Sequence, residues 1–473
     1  MLHVARLLPA FMAFLATTVI VGGGASAISL EETLAEAFQS NPDLIASRAA
    51  LRATATQIAQ ARGGYLPTIT GSAEYKAQRG NQRFSIDFGA EESALLQLVE
   101  DLDADVTSFT LSLDQNLYRG GGTAAAMSRA RNRLRSSRSA LAATEQNVLL
   151  DAATAYVRVW RDRATVEEAA RNTERLRERL RRTRRVHDLG EVTFTDVRQA
   201  EARLANGEAD ADGHRAELSD AEAFYERVVG AAPGPLERPW LKVVIPPTLE
   251  DASTRAENAP EVAQARYDLA AAEDDVDVAF ADLLPTVGLS GQLNRQNEPS
   301  TIVDSSESAF LGVKLTVPFF QGGVAIARVR ENREMLEQRR SALAGEVRRA
   351  KESIRSAWNQ LLIARSQLAS YQAEVDANRL ALEGVEREAQ LGRRTTLDVL
   401  DAENDLFDAR LNVLRADADA IIATFRIKQA VGELTADRLQ QEAGPKNRPA
   451  PPLPTRRPSA SPPQPAPART PPR

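Results

Sequence analysis

Two acids three positions apart are the strongest candidates for chemistry in this 473-residue chain. Asp398 and Asp401 have the spacing that places two side chains on one face of a helix. Asp398 has a structural alternative, because Thr395 three residues earlier predicts a capping box at a helix start. Capping does not account for Asp401, whose alternative is a solvated helix face. The sequence therefore predicts two neighbouring carboxylates, of which one has a second explanation.

Other reactive groups are scarce. The chain has no cysteine, which excludes disulfides, thiolate metal sites, thiol nucleophiles and a lipid-modified N-terminal cysteine. His187 and His214 have no second ligand at metal spacing, and no serine or acid pair has a histidine at a recognisable motif spacing. Gly120-Gly121-Gly122 lacks a following Gly-Lys-Ser/Thr, so it predicts a strand-to-helix turn and not a phosphate loop. We expect neither enzyme activity nor a cofactor.

The two acids belong to a turn that occurs twice in the chain. Residues 391–401 indicate the end of one helix and the start of another, because Gly392 can adopt the positive φ that closes a helix and Thr395 can cap the next one. The same turn stands 202 positions earlier, where Gly190 corresponds to Gly392. One helical hairpin made twice is the prediction.

The two copies of the turn differ in charge. Asp196 corresponds to Asp398, but Gln199 stands where the second copy has Asp401. Only the second repeat therefore provides the double acid.

Long helices lead into both turns. Nothing interrupts a helical pattern between residues 123 and 188, which corresponds to about 100 Å at the rise of an α-helix. Each turn is followed by a shorter helix, which ends near Val229 in the first repeat. Apolar residues recur every seven positions in both long helices, as in a coiled-coil seam, at Leu134, Leu141, Val148, Ala155, Leu336, Leu343, Ala350 and Ala357.

Before each long helix the apolar pattern changes to alternation. The alternating segments predict strands at 68–76, 109–117, 287–294 and 311–319. The offset between the repeats falls from 218 before the strands to 202 after them, so the first repeat has 16 additional residues. We expect these residues in a strand-to-strand loop around Asn81 to Asp105.

The N-terminus indicates export. Residues 1–27 predict a secretory signal peptide with cleavage after Ala27, whereas the alternative of a membrane anchor is disfavoured because the apolar run is short and ends in Gly22-Gly23-Gly24. No later segment has an uncharged apolar run long enough to span a bilayer as a helix. Any membrane-spanning part must therefore consist of strands.

The mature chain divides into two repeats and a tail. The repeats cover 28–232 and 249–435, and a proline-rich linker at 233–248 joins them. Residues 436–473 are expected to form a Pro-rich, basic, disordered tail. Because this tail is basic, the body is more acidic than the formal net charge of −6 indicates, which argues against a nucleic-acid partner.

Four strands are too few to close a barrel, and open sheet edges are not tolerated in lipid. We therefore expect chains to combine their strands, and three chains would provide twelve. The predicted fold is mainly α with membrane β: a trimeric 12-stranded β-barrel continued by a long α-helical coiled-coil barrel, built from an internal duplication.

The duplicated order of helix, hairpin, long helix and short helix resembles the TolC family of outer-membrane channel proteins over residues 28 to about 435. The Leu-Pro pairs before the strands and the pattern Gly-x-Arg-Thr-x-x-Asp-Val-Leu-Asp-Ala at 392–402 carry the resemblance. It implies a homotrimeric duct in the outer membrane whose helical barrel lies in the periplasm. The lack of an N-terminal cysteine is similar to the unlipidated members.

The resemblance also implies partners. These are a periplasmic adaptor (membrane fusion) protein and an inner-membrane RND, MFS or ABC exporter, with drugs or a type I secreted protein as cargo. A periplasmic coiled-coil adaptor or structural rod is the alternative, and such a protein would lack amphipathic strands.

The resemblance implies roles for the turn residues. Asp398 and Asp401 would form an acidic ring at the periplasmic entrance that favours cations and can bind divalent ions. Gly190 and Gly392 would mark the tips that the adaptor contacts.

A latch that holds the entrance shut is also implied. It would join Arg394 to Asp196 and Thr195 on the twin turn. The family has a tyrosine five residues before the arginine, where this chain has Ala389, so we expect a weaker or differently arranged latch. An unpaired surface arginine is the alternative.

Overall fold

The computed structural model describes residues 27–86, 96–239, 244–300 and 303–443. The predicted signal peptide before Ala27 and residues 444–473 of the predicted tail lie outside the described residues. The first repeat contains α1 (Leu30–Ser40), α2 (Pro42–Gly63), β1 (Thr68–Ile86), β2 (Leu96–Arg119), α3 (Gly122–Asp188) and α4 (Phe194–Val229). The second contains α5 (Leu249–Ala256), α6 (Pro260–Ala281), β3 (Thr286–Ser300), β4 (Val303–Thr316), α7 (Val324–Gln390) and α8 (Thr396–Ala430), followed by α9 (Ala436–Ala443).

The predicted duplication is confirmed. Both repeats have the order helix, helix, strand, strand, long helix, short helix, and α3 and α7 are each 67 residues long. Each strand hairpin therefore lies at one end of a long helix and each helix-to-helix turn at the other end.

The first helical segment of each repeat is divided in two at a proline, where the sequence indicates an early interruption of the helix at Asn41-Pro42-Asp43 and at the corresponding Asn258-Ala259-Pro260-Glu261. Asn41 is extended and its side chain accepts the backbone N–H of Asp43, so that α2 begins anew at Pro42. Pro260 is likewise the first residue of α6, although Ala259 before it forms no side-chain cap. Proline is well suited to the first helical turn and disfavours helical geometry in the residue before it, which explains both divisions.

The four strands form one antiparallel sheet in the order β1-β2-β3-β4. Its register aligns the alternating residues across all strands: Gly71, Leu111, Leu293 and Ala309 form one row, and Ser72, Thr110, Asn294 and Ser308 form the next. Residues in one row share a face of the sheet, and adjacent rows point to opposite faces. One face is therefore apolar and the other polar, with Phe310 as a large apolar residue on the polar face.

The strands are longer than the alternating pattern predicted. The residues expected in a loop around Asn81 to Asp105 mostly continue β1 and β2 as a paired ladder. Residues 78–83 contain no apolar residue, so the apolar alternation that indicates a strand is interrupted there. In contrast, β4 ends at Thr316, before the predicted Val317 and Phe319, because Pro318 cannot donate a ladder hydrogen bond.

The main core lies part-way along the long helices, where α1, α3, α4, α8 and α9 meet. We call it the waist core; it contains eighteen buried residues of the described chain, among them Tyr156, Tyr225 and Phe425. The hydroxyl of Tyr156 lies 2.8 Å from the carbonyl oxygens of both Ile28 and Glu237, which share its one proton. Ile28 also forms a parallel bridge with Leu236, which ties the start of the first repeat to the linker.

The helix α9 was not predicted. The sequence predicts a disordered tail from residue 436 onward, but residues 436–443 are helical and Leu439 is buried in the waist core. The backbone N–H of Ala436 donates to Glu145 on α3 at 3.2 Å. Leu439, a large hydrophobic residue in a mostly polar segment, was the signal in the sequence that could have indicated this helix.

Between the waist core and the turns the apolar clusters are small. One contains Ala169, Ala211, Phe407 and Leu411, and the other contains Leu176, Leu180, Val197, Ala200 and Leu400. Both join α3 and α4 of the first repeat to α8 of the second. Within the described residues, none of the helices is both long and apolar enough to cross a membrane.

Candidate functional site

Both helix-to-helix turns have the backbone geometry that the sequence predicts. Gly190 has φ of +79° and Gly392 has φ of +71°, in the left-handed region that glycine adopts without steric cost. In the second turn the N–H of Arg393 donates to the carbonyl of Glu388 at 2.9 Å, which satisfies the end of α7. Each long helix therefore ends sharply and the chain reverses within a few residues.

A capping box starts the short helix after each turn. The N–H of Asp398 donates to the hydroxyl of Thr395 at 3.2 Å, while Oδ2 of Asp398 accepts from the N–H and the hydroxyl of Thr395 at 2.8 and 2.9 Å. These hydrogen bonds hold the pKa of the Asp398 carboxyl below its usual value. The predicted capping box of Asp398 is therefore present, and the carboxylate form is favoured.

The first repeat has the same box, formed by Thr193 and Asp196. Sequence reasoning did not single out Thr193, although it stands 202 positions before Thr395 and the repeat was the available signal. Thr195, which the resemblance assigned to the latch, is exposed on the first turn of α4.

The second acid has a partner from the other repeat. Nη2 of Arg203 on α4 donates to Oδ1 of Asp401 on α8 at 2.5 Å, and both side chains are partly exposed. The two residues are 198 positions apart, so no local pattern in the sequence could have indicated the pair. Asp398 and Asp401 therefore differ in their surroundings, although they share a helix face.

Arg394 lies on the second turn and makes its ion pairs there. Its Nε donates to Glu388 at 2.9 Å, and its Nη1 is 3.9 Å from Asp398. Across the described residues, no hydrogen bond or ion pair joins Arg394 to Asp196 within one chain. The structure of the single chain thus leaves the two main latch residues apart, each with a local partner.

A second ion-pair cluster lies close to the turns and was missed by sequence reasoning. Nη2 of Arg179 on α3 donates to Glu403 on α8 at 2.6 Å and to Glu386 on α7 at 3.2 Å. The Arg179 side chain is 17% exposed and that of Glu403 8% exposed, and Oε2 of Glu403 has no hydrogen-bond partner. The cluster ties three helices from both repeats together in a partly dry environment, where an ion pair is costly to break.

Most of the large exposed apolar residues lie on or next to the sheet, and a smaller group lies at the helix-to-helix turns. At the turns these residues are Leu189, Phe194 and Leu391. At the sheet the apolar face is uncovered in the single chain, and Tyr65, Tyr118, Phe319 and Phe320 lie exposed next to the strand ends. Exposed apolar patches mark surfaces that meet a partner or lipid, and aromatic residues are typical of the membrane–water interface.

No metal site is evident in the described ranges of the single chain, since no group of three or more histidine, aspartate and glutamate residues is arranged to hold an ion.

Comparison with known proteins gives a consistent result along most of the chain. The family described as outer membrane efflux protein matches residues 33–230 and 252–433. The chain is 32% identical to the outer membrane efflux protein BepC of Brucella suis over 90% of both chains. It is 24% identical to the outer membrane protein TolC of Vibrio cholerae over 93% of this chain and 98% of that protein.

Solved structures agree with this result. The CmeC outer membrane channel of Campylobacter jejuni has the same fold, with a TM-score of 0.73 at 17% sequence identity, over 88% of this chain and 89% of that chain.

Proposed function

Because the chain belongs to the outer membrane efflux protein family, we propose that it is the exit duct of a tripartite export system, a passive homotrimeric channel opened at its periplasmic end. That it is an outer-membrane efflux or secretion channel protein of the TolC family, and not an enzyme, follows from the family itself. The trimer, the partners and the roles of the entrance residues are the proposed part.

The amphipathic sheet carries the proposal. It has one apolar and one polar face, and the edges of β1 and β4 have no neighbour strand within the described chain. In lipid such edges must be paired. Pairing β4 of one subunit with β1 of the next would close a barrel, and three subunits would form one of twelve strands with the apolar face outward.

The long helices support the same assembly. α3 and α7 have equal length and the same heptad pattern, but α3 has 21 buried residues and α7 has six, both helices being described throughout. The surface of α7 includes exposed Leu362, Ile363 and Leu380. A coiled-coil helix that is covered on one side only lacks a partner, and α2, which buries only Leu44, is similarly open. Neighbouring subunits would cover both helices.

The turns would form the periplasmic entrance. Asp398 and Asp401 of three subunits would provide the acidic ring that favours cations and can bind divalent ions. Gly190 and Gly392 lie at the tips where the exposed Leu189 and Leu391 could meet a periplasmic adaptor. An inner-membrane RND, MFS or ABC exporter would complete the system and supply either drugs or a type I secreted protein.

The latch remains part of the proposal. Contacts between subunits would have to bring Arg394 to Asp196 and Thr195, because within one chain Arg394 is bonded to Glu388. We expect Arg394→Ser to raise the single-channel conductance in planar bilayers, and an unchanged conductance would exclude the latch.

Membrane fractionation tests the proposed assembly. We expect detergent-resistant trimers in the outer membrane, whereas a soluble periplasmic monomer would indicate an adaptor or a structural rod. Leu293→Asp places a charge on the apolar face of β3 and should sharply reduce the amount of membrane trimer. Gln292→Asp is the matched control, since it adds the same charge on the opposite, polar face of the sheet and should have little effect. Equal losses in both variants would show that neither face is turned to lipid.

A further inference from the structure

We propose that Arg203 is the counter-ion of Asp401 and sets the charge of the periplasmic entrance, so that of the two acids Asp398 and Asp401 only Asp398 is uncompensated in each subunit. This inference rests on the proposed channel function. It assigns a selectivity role to a residue in the first repeat, whereas the predicted acidic ring comes from the second.

The geometry distinguishes the two acids. Arg203 donates to Oδ1 of Asp401 at 2.5 Å, which is a charge-assisted contact. The basic group next to Asp398 is Arg394, which lies 3.9 Å away and is itself bonded to Glu388 at 2.9 Å. The hydrogen bonds that Asp398 accepts come from the uncharged groups of Thr395. Asp398 therefore keeps most of its negative field, while that of Asp401 is largely cancelled.

The two repeats carry different charges at corresponding positions next to the turn, and the ion pair joins these unlike positions. The first repeat has Gln199 and Arg203 at the positions where the second has Asp401 and Asp405. One copy of the hairpin thus has an amide and a base where the other has two acids. The two hairpins lie side by side through α4 and α8, and the base of one meets an acid of the other.

The pair is better suited to tuning charge than to holding the fold. The side chains of Arg203 and Asp401 are 39% and 49% exposed. Ion pairs with this exposure contribute little to stability, because water screens them and ordering the side chains costs entropy. Their charges nevertheless act on ions that pass within a Debye length, which is about 8 Å at physiological salt.

The test uses the full-length protein, purified as wild type and variants and inserted into planar bilayers under a KCl gradient. Arg203→Gln is expected to increase the ratio of K⁺ to Cl⁻ permeability about two- to fivefold, because the charge of Asp401 is uncovered. Asp401→Asn should lower this ratio, because Arg203 is then left uncompensated. The double variant should return close to the wild-type ratio, and Arg203→Lys should preserve it.

Arg198→Gln is the matched control on the same helix. Arg198 donates to Glu201 at 2.7 Å, and Glu201 keeps a second partner in Arg184, also at 2.7 Å. Loss of Arg198 therefore removes one positive charge near the turn without uncovering a carboxylate, and we expect a smaller shift in permeability ratio than for Arg203→Gln.

The outcomes separate this inference from the proposed function. If the wild-type channel conducts ions and Arg203→Gln leaves its selectivity unchanged, the counter-ion role of Arg203 alone is overturned. The same conclusion would follow if Arg198→Gln shifted the ratio equally, or if the double variant matched Arg203→Gln. Failure of the folded wild-type protein to conduct at all would overturn the channel proposal and this inference together.

Discussion

The waist core and the region near the turns join the same two repeats by different means. At the waist, Phe425 of α8 belongs, with Leu149 and other apolar residues of α3, to a cluster of eighteen buried residues in the described chain. Near the turns, clusters of five and four such residues alternate with ion pairs, of which Arg203–Asp401 joins the two repeats in a partly exposed position. Apolar packing is non-directional and hard to separate, whereas ion pairs can exchange partners or water. The difference indicates a fixed joint at the waist and a separable one at the tips.

The largest effect is expected for Phe425→Ala, because Phe425 is only 1% exposed in the waist core. Loss of a buried phenylalanine typically costs about 3–5 kcal/mol. Phe407→Ala removes the same side chain from a small cluster on the same helix, and we expect a cost nearer about 2 kcal/mol, since a small cluster can collapse or admit water. Thermal melting followed by helical circular dichroism compares them, and equal losses would contradict a difference between the two regions.

Arg179→Met comes next. It leaves Glu403 without its main partner in a nearly buried position, and we expect a loss of about 2–3 kcal/mol, below the value for a fully buried pair because Arg179 is partly exposed. The double variant Arg179→Met/Glu403→Met should recover most of this loss in the same melting experiment. If the double variant were as unstable as the single one, the ion pair would not be the cause.

A smaller effect is expected at the turns themselves. Gly190→Ala and Gly392→Ala keep positive φ with a side chain, and a Cβ at either position meets no neighbouring atom, so the cost is that of the backbone, about 1 kcal/mol each. Gly384→Ala in α7 is the control, because its Cβ also meets nothing but the backbone is helical, and it should stabilise the protein by up to about 1 kcal/mol. Destabilisation by Gly384→Ala would show that flexibility of α7, and not φ, governs these variants.

The smallest effect concerns pH. The pKa of Asp398 in the folded state is lowered from 3.8. Its carboxylate therefore stabilises the turn at any pH above the pKa of the unfolded state, and this contribution is lost as the pH falls through the lowered pKa. If Asp398 provides the uncompensated charge of the entrance, cation preference should persist down to about pH 4 and fall below it. Reversal potentials measured between pH 7 and 3 test this, with Asp398→Asn as control. Loss of the preference well above pH 4 in the wild type alone would exclude Asp398 as its source.

Much of the fold could be predicted because it depends on residues close together in the sequence and because the same pattern occurs in both repeats. The positive φ of Gly392, the box formed by Thr395 and Asp398, and the heptad spacing of α3 each depend on residues within one or two turns of helix. The extensions of β1 and β2 beyond the predicted segments were not predicted, because residues 78–83 interrupt the apolar alternation while the backbone pairing continues through them.

The candidate site was predicted only in part for a related reason. The sequence indicated the acids, but not which of them has a basic partner. Arg203 and Asp401 are 198 positions apart, and Arg179 and Glu403 are 224 apart. Such pairs depend on how the two repeats pack, which spacing along the chain does not specify.

The open edges of the sheet have a consequence for biogenesis. Unless β1 and β4 pair with other strands, the described sheet of a single subunit has two open edges with unpaired backbone N–H and C=O groups. These edges lie beside an exposed apolar face, and this combination promotes aggregation. We therefore expect a monomeric subunit to need a chaperone against aggregation in the aqueous compartment until it assembles with other subunits. In the proposed trimer, the stability of each subunit would therefore depend on the concentration of the subunits.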